Sequence, residues 1–113
     1  MRVAVVGSRN RMVTDLGDYL PPDTTQIISG GARGIDACAR AYALSQGIAY
    51  AEVRPDYGRY RRGAPLKRNR EIVARAELVI AFWDGASRGT RYVIGLCRQT
   101  GVPLRVILLP TAE

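Results

Sequence analysis

Five short apolar runs, each but the last followed by a stretch of helical period, constrain this chain more than any other feature. The runs occupy residues 3–6, 26–29, 48–53, 78–82 and 104–108. They are rich in β-branched residues and have the length of buried strands. Between them, apolar residues recur at i, i+3 and i+4. Met12, Leu16, Tyr19 and Leu20 form the first stripe, and Ile35, Cys38, Ala39 and Tyr42 the second. Ile72, Val73 and Ala76 mark the third, and Val93, Leu96 and Cys97 the fourth. Each stripe predicts a helix with one face on the sheet, although Gly17 weakens the first. Breakers fall where the alternation needs them: Pro21-Pro22, Gly47, Pro65, Gly101 and Pro103. Such a β-α-β-α-β-α-β-α-β order reads as a doubly wound α/β domain, a parallel sheet of five strands with helices on both faces.

The length of 113 residues suits one domain, spanning 1–113, with a real core. No histidine is present, which excludes a Ser-His-Asp triad, an HExxH metalloprotease and any imidazole general base. Cys38 and Cys97 stand far apart without CxxC spacing, so no local metal or redox motif exists; their places on the stripes make them core residues facing the sheet. No metal site is expected. No apolar run approaches the roughly 20 residues of a membrane span, and the first run is too short for a signal peptide. A cytoplasmic protein without membrane association is therefore expected.

The charge is concentrated. Lys and Arg number 17 against 10 Asp and Glu, a net of +7. Within residues 54–70, Arg54, Arg59, Arg61, Arg62, Lys67, Arg68 and Arg70 face Asp56 alone, which puts +6 of the +7 in one segment. That segment is also the one long connection, running from Arg54 to about Leu66. A cluster of this kind attracts phosphate, whether on a nucleotide or on a nucleic acid. A solvated loop in an arginine-rich chain is the plainer alternative.

In an open parallel sheet, ligands sit at the carboxyl ends of the strands. Three of the four strand-to-helix turns there are Gly-rich: Gly7-Ser8-Arg9, then residues 29–36 with Ser29, Gly30, Gly31, Arg33, Gly34 and Asp36, then residues 84–90 with Asp84, Gly85, Ser87, Arg88, Gly89 and Thr90. Glycine lets backbone N–H groups approach and converge on an anion, and the helix N-termini below add free N–H groups. Hydroxyls of Ser8, Ser29, Ser87 and Thr90 and the charges of Arg9, Arg33 and Arg88 complete a site suited to a phosphorylated ligand. Neither GxGxxG nor GxxxxGK[ST] is present, which disfavours NAD-linked hydride chemistry and P-loop hydrolysis. Asp36 either caps the second helix or accepts from ribose hydroxyls. Asp84 either points into the crevice or caps its own loop. Asn69 precedes Ile72, Val73 and Ala76 by three, four and seven residues, which places it on the inward stripe at the ligand end. It either ties loops together or reads a ligand, and Arg68 beside it can reach a phosphate.

Val-Val-Gly-Ser-Arg, Ile-Ile-Ser-Gly-Gly-Ala-Arg-Gly-Ile-Asp, Arg68-Asn69 before Ile72-Val73, and the 84–90 turn together resemble the SLOG superfamily, which includes DprA-like and LOG-like proteins. The small YspA/cpYpsA-related members are the most similar. The resemblance implies a Rossmann-like sheet of order 3-2-1-4-5, with the first and fourth turns flanking the switch point. It also implies a nucleotide or nucleotide derivative as ligand, no required cofactor, and pocket positions at Gly7, Ser8, Arg9, Gly30, Gly31, Gly34, Asp36, Asn69, Gly85, Gly89 and Thr90. Dimerisation through helix faces is common in related families. LOG-like phosphoribohydrolases carry PGGxGTxxE with a catalytic terminal Glu, whereas Gly89-Thr90-Arg91-Tyr92 is followed here by Val93. The DprA-like branch binds single-stranded DNA and usually has additional domains.

Three functions follow. The first is a binding module for a nucleotide-type ligand, with the base against Tyr57 or Tyr60. The second is an enzyme acting at an N-glycosidic bond of nucleoside monophosphates through Asp36 or Asp84. The third is single-stranded nucleic-acid binding through residues 54–70, with Tyr57 and Tyr60 as stacking platforms. The missing histidine and Val93 favour the binder over the catalyst.

Overall fold

Neighbouring residues of a strand point to opposite faces, and the first and fourth apolar runs use this to feed two cores. The computed structural model describes residues 1–110. Strands β1 (Arg2–Gly7), β2 (Gln26–Ser29), β3 (Ala49–Glu52), β4 (Leu78–Trp83) and β5 (Leu104–Leu108) form one parallel sheet in the order β3-β2-β1-β4-β5. β1 pairs with β2 on one side, Val3 opposite Ile27, and with β4 on the other, Val5 opposite Ile80. Val3, Val5, Ile27, Ile80 and Phe82 meet α1 (Ile35–Gln46) through Ile35, Ala39 and Ala43 on one face. Ala4, Val6, Ile28, Val79 and Ala81 meet α3 (Ala64–Arg75) and α4 (Arg88–Thr100) on the other, through Ile72, Val73, Val93, Ile94 and Cys97. The expected Rossmann-like α/β fold and its strand order are both present. No helix among the described residues is long and apolar enough to cross a membrane.

Two expectations need correction. The first stripe forms no α-helix: β1 and β2 are joined through a short 3-10 turn, Leu16–Tyr19. Gly17 lies in its middle and Pro21-Pro22 follow at once, so a long helix has little to sustain it. The packing makes the same demand, because a Cβ at position 17 would lie 2.5 Å from the Tyr42 hydroxyl. Leu16 is buried without a helix and Tyr19 meets Phe82 edge-on at 5.2 Å, while Met12 is left 76% exposed. The second correction concerns the cysteines. Cys97 is buried in the core, but Cys38 is only half-buried and belongs to neither core cluster.

The long connection after β3 is shorter than expected. It holds a single helical turn, α2 (Tyr57–Tyr60), and a 3-10 turn, Arg61–Gly63, before α3 starts at Ala64 with Pro65 in its first turn. Asp56 starts α2 by accepting a hydrogen bond from the Arg59 N–H at 3.1 Å. Gly47 and Gly101 end α1 and α4 in the left-handed conformation.

Candidate functional site

Ser8, at the end of β1, stitches three turns together at the switch point. Its N–H donates to the Phe82 carbonyl at 3.2 Å, its carbonyl accepts from the Ile35 N–H at 3.3 Å, and its Oγ accepts from the Asp84 N–H at 3.3 Å. The hydroxyl expected to meet a ligand is thus buried and structural. Gly34 makes the stitch possible: it lies at φ +76°, and a Cβ there would come within 2.5 Å of the Ser8 carbonyl oxygen.

Around this stitch lies a cavity of about 440 Å³. Of the residues singled out in the sequence, Gly7, Arg9, Gly30, Asp36, Arg68, Asn69, Asp84, Ser87, Gly89 and Thr90 line it. Ser8, Ser29, Gly31, Gly34 and Gly85 do not. Ser29 shares a 2.6 Å hydrogen bond with the Tyr50 hydroxyl, Gly31 lines a neighbouring hollow, and Gly85, at φ +83°, makes the turn after β4. Sequence reasoning missed Asn10, which also lines the cavity and directly follows Gly-Ser-Arg in the same turn; that adjacency was signal enough. It also missed the apolar wall of Val6, Ile72 and Val93, the ligand-end members of the same inward stripes.

Each charged group in the cavity has a distinct task. Arg68 reaches from α3 to the second turn, where Nη1–H donates to the Gly30 carbonyl at 2.9 Å and Nε–H donates to Asn69 Oδ1 at 2.8 Å. Asn69 is buried and lines the cavity, and among the described residues its amide nitrogen donates to no protein acceptor. Asp36 caps no helix; its Oδ2 accepts from the Ala32 N–H at 3.2 Å, which ties the turn to the first residues of α1. Burial pushes its carboxyl above the ordinary range, against the pull of the Ala32 N–H and of Arg68. Asp84 behaves oppositely. Its Oδ1 accepts from the Ser87 N–H at 2.8 Å and the Ala86 N–H at 2.9 Å, and these hold it below the ordinary range as a fixed carboxylate. The loop-capping role is thus occupied by Asp84 itself.

No side chain caps α4. Gly89 and Thr90, in its first turn, line the cavity, and their N–H groups have no intrahelical partner. This arrangement offers an anion free N–H groups, the positive end of a helix dipole, and the guanidinium groups of Arg9 and Arg68. Among the described residues no group of three or more His, Cys, Asp or Glu side chains could hold a metal ion.

The basic segment divides in space. Arg54, Tyr57 and Arg68 border a second hollow beside the cavity, while Tyr60 lies in a third, overlain by Arg59 at 5.2 Å and Lys67 at 5.5 Å. Tyr57, 58% exposed, is therefore the more available aromatic ring.

Residues 1–57, half of the chain, match the model of the family described as DNA recombination-mediator protein A. The match takes in β1 to β3, with the Gly7 and Gly30 turns and Asp36. No curated protein and no solved structure gives a match.

Proposed function

The chain belongs to the DNA recombination-mediator protein A family, and from that premise we propose that it is a binding module for a nucleotide or nucleotide-derived phosphorylated ligand. The ligand lies at the carboxyl edge of the sheet. Its phosphate sits on the free N–H groups of Gly89 and Thr90, between Arg9 and Arg68, and the Asn69 amide donates to it. Asp36 remains the candidate for ribose hydroxyls. Within the SLOG superfamily we group the chain with the YspA/cpYpsA-related members, on Arg68-Asn69 and the 84–90 turn.

The observation that carries this reading is the convergence of cationic and N–H donors on one cavity wall. The carboxylates support binding over hydrolysis: Asp84 has an oxygen committed to two backbone N–H groups, and Asp36 is buried and tied to Ala32. Val93, at the place of the LOG-like Glu, is buried in the core. Calorimetry across AMP, ADP-ribose, NAD, cyclic dinucleotides and a short single-stranded oligonucleotide tests the proposal. At least one binds, and Arg68→Ala weakens it about tenfold, the worth of a charge-assisted hydrogen bond. No heat from any of them overturns the reading, and release of free base from nucleoside monophosphates would restore the hydrolase.

A second reading, single-stranded nucleic acid as the ligand, is favoured by the exposed Tyr57 beside Arg54, since a stacking ring next to cations suits a flexible strand.

A further inference from the structure

The second hollow, of about 450 Å³, shares Arg9, Gly30 and Arg68 with the main cavity and adds Arg33, Arg54 and Tyr57. Four guanidinium groups line it and no carboxylate does. Glu52 offsets Arg54 and Asp36 offsets part of the charge of Arg68, so the excess positive charge in this concavity rests mainly on Arg9 and Arg33 and attracts an anion. Among the described residues, the side chains of Arg9 and Arg33 make no ion pair.

Arg54 is held in position. It pairs with Glu52, whose Oε1 accepts from the Tyr50 hydroxyl at 3.0 Å, and that hydroxyl shares its 2.6 Å bond with the buried Ser29. The chain of contacts runs from inside β2 through the edge strand to the rim, so one cation of the hollow is oriented before any ligand arrives. An oriented charge loses less freedom when it binds.

Resting on the reading of the main cavity as a nucleotide site, we propose that the second hollow is a subsite for a second phosphate of the same ligand. The shared wall lets one molecule span both hollows, and Tyr57 covers the sugar or base attached to the second phosphate. The ligand class is thus a nucleotide bearing two separated phosphates, either as a bisphosphate or through a phosphodiester link to a second nucleotide.

Calorimetry at one fixed salt concentration, with thymidine 5′-monophosphate, thymidine 3′,5′-bisphosphate and the dinucleotide pTpT, tests this. A second charge-assisted contact makes the bisphosphate, the dinucleotide or both bind about tenfold more tightly than the monophosphate. A gain for the bisphosphate alone assigns a terminal phosphate, and a gain for pTpT assigns the phosphodiester. Replacing both exposed arginines, Arg33→Ala with Arg54→Ala, lowers all affinities slightly through the lost field but abolishes the difference between probes. Equal binding of the three probes to the unaltered protein overturns the subsite, as does an equal loss for all three in the double variant. If the monophosphate and the other two all fail to bind, the main-cavity reading falls and the subsite falls with it.

Discussion

Gly30 and Gly34 stand four residues apart in one turn and meet different neighbours. A Cβ at Gly30 would press on the Arg68 guanidinium, with Cζ at 2.9 Å, and on Asp36 Oδ2 at 3.0 Å. These are ends of side chains that can give way, so Gly30→Ala should cost only about 1 kcal/mol of stability while lowering phosphate affinity by displacing Arg68. A Cβ at Gly34 would meet the backbone of Ser8 and Arg9, at a positive φ that L-residues avoid. Gly34→Ala should therefore cost about 3 kcal/mol or more, and urea titration of the two variants separates a ligand glycine from a fold glycine. Asp36 supplies a pH dependence. Its folded pKa lies above the value of 3.8 for an unburied aspartate, so the native state holds that proton more tightly than the unfolded chain does. The favourable contribution is complete below the unfolded value and is lost as pH rises through the folded one. Relative to Asp36→Asn, which cannot ionise, the unaltered protein should lose thermal stability as pH rises from about 4 through the raised folded pKa. A relative gain over that range would mean that Arg68 outweighs burial.

Among elements, the clearest strain sits where α2 ends. Arg61 is the one non-glycine residue at positive φ among the described residues, with φ 51° and ψ −121°. Such a backbone costs about 1–3 kcal/mol, and glycine forfeits roughly 0.5–1 kcal/mol of chain entropy. Arg61→Gly should thus stabilise the protein by about 1 kcal/mol, read from the denaturant midpoint; a loss would show that the side chain holds the turn. How far elements were legible differs along the chain. The Ile72-Val73 and Val93-Cys97 stripes became α3 and α4 because their apolar periods coincide with faces that the sheet requires. Asn69 was legible by the same spacing. The Met12 to Leu20 stripe was misleading: its Leu16 and Tyr19 are buried or packed as a period would have them, but a 3-10 turn delivers them, and the Tyr42 hydroxyl fills the space beside Gly17.

For the whole molecule, the +7 charge is a question of reach. Arg54 and Arg68 border the second hollow, Arg59 and Lys67 lie over Tyr60, and Arg70 donates to the Tyr92 hydroxyl at 3.1 Å. The basic segment is therefore split among several local tasks and does not form one continuous track. Binding of a single strand releases counterions at about 0.7 per phosphate neutralised. With two or three phosphates engaged at the two hollows, log K should fall against log salt with a slope near −2. A slope steeper than about −4 would mean that most of the segment follows the backbone.

Apart from the 3-10 turn that stands in place of the first helix, the alternation of strands and helices, the two-sided burial of the sheet and the choice of Gly-rich turns as the candidate site were legible in the sequence alone. Each depends on apolar period and turn chemistry, which are local properties of the chain. The tertiary structure decided which polar groups meet. Ser8 finds the Asp84 N–H 76 residues away, and Arg68 finds Gly30 across 38. Placing β1 beside β4 brings the first of these pairs together, and packing α3 against the same sheet brings the second. The partners of a charged side chain depend on residues distant in sequence. For that reason the sequence could nominate Asp36, Asp84, Arg33 and Arg68, but only the fold could show that the first two are engaged with backbone N–H groups, that Arg68 clasps Gly30, and that Arg33 has no acidic partner among the described residues.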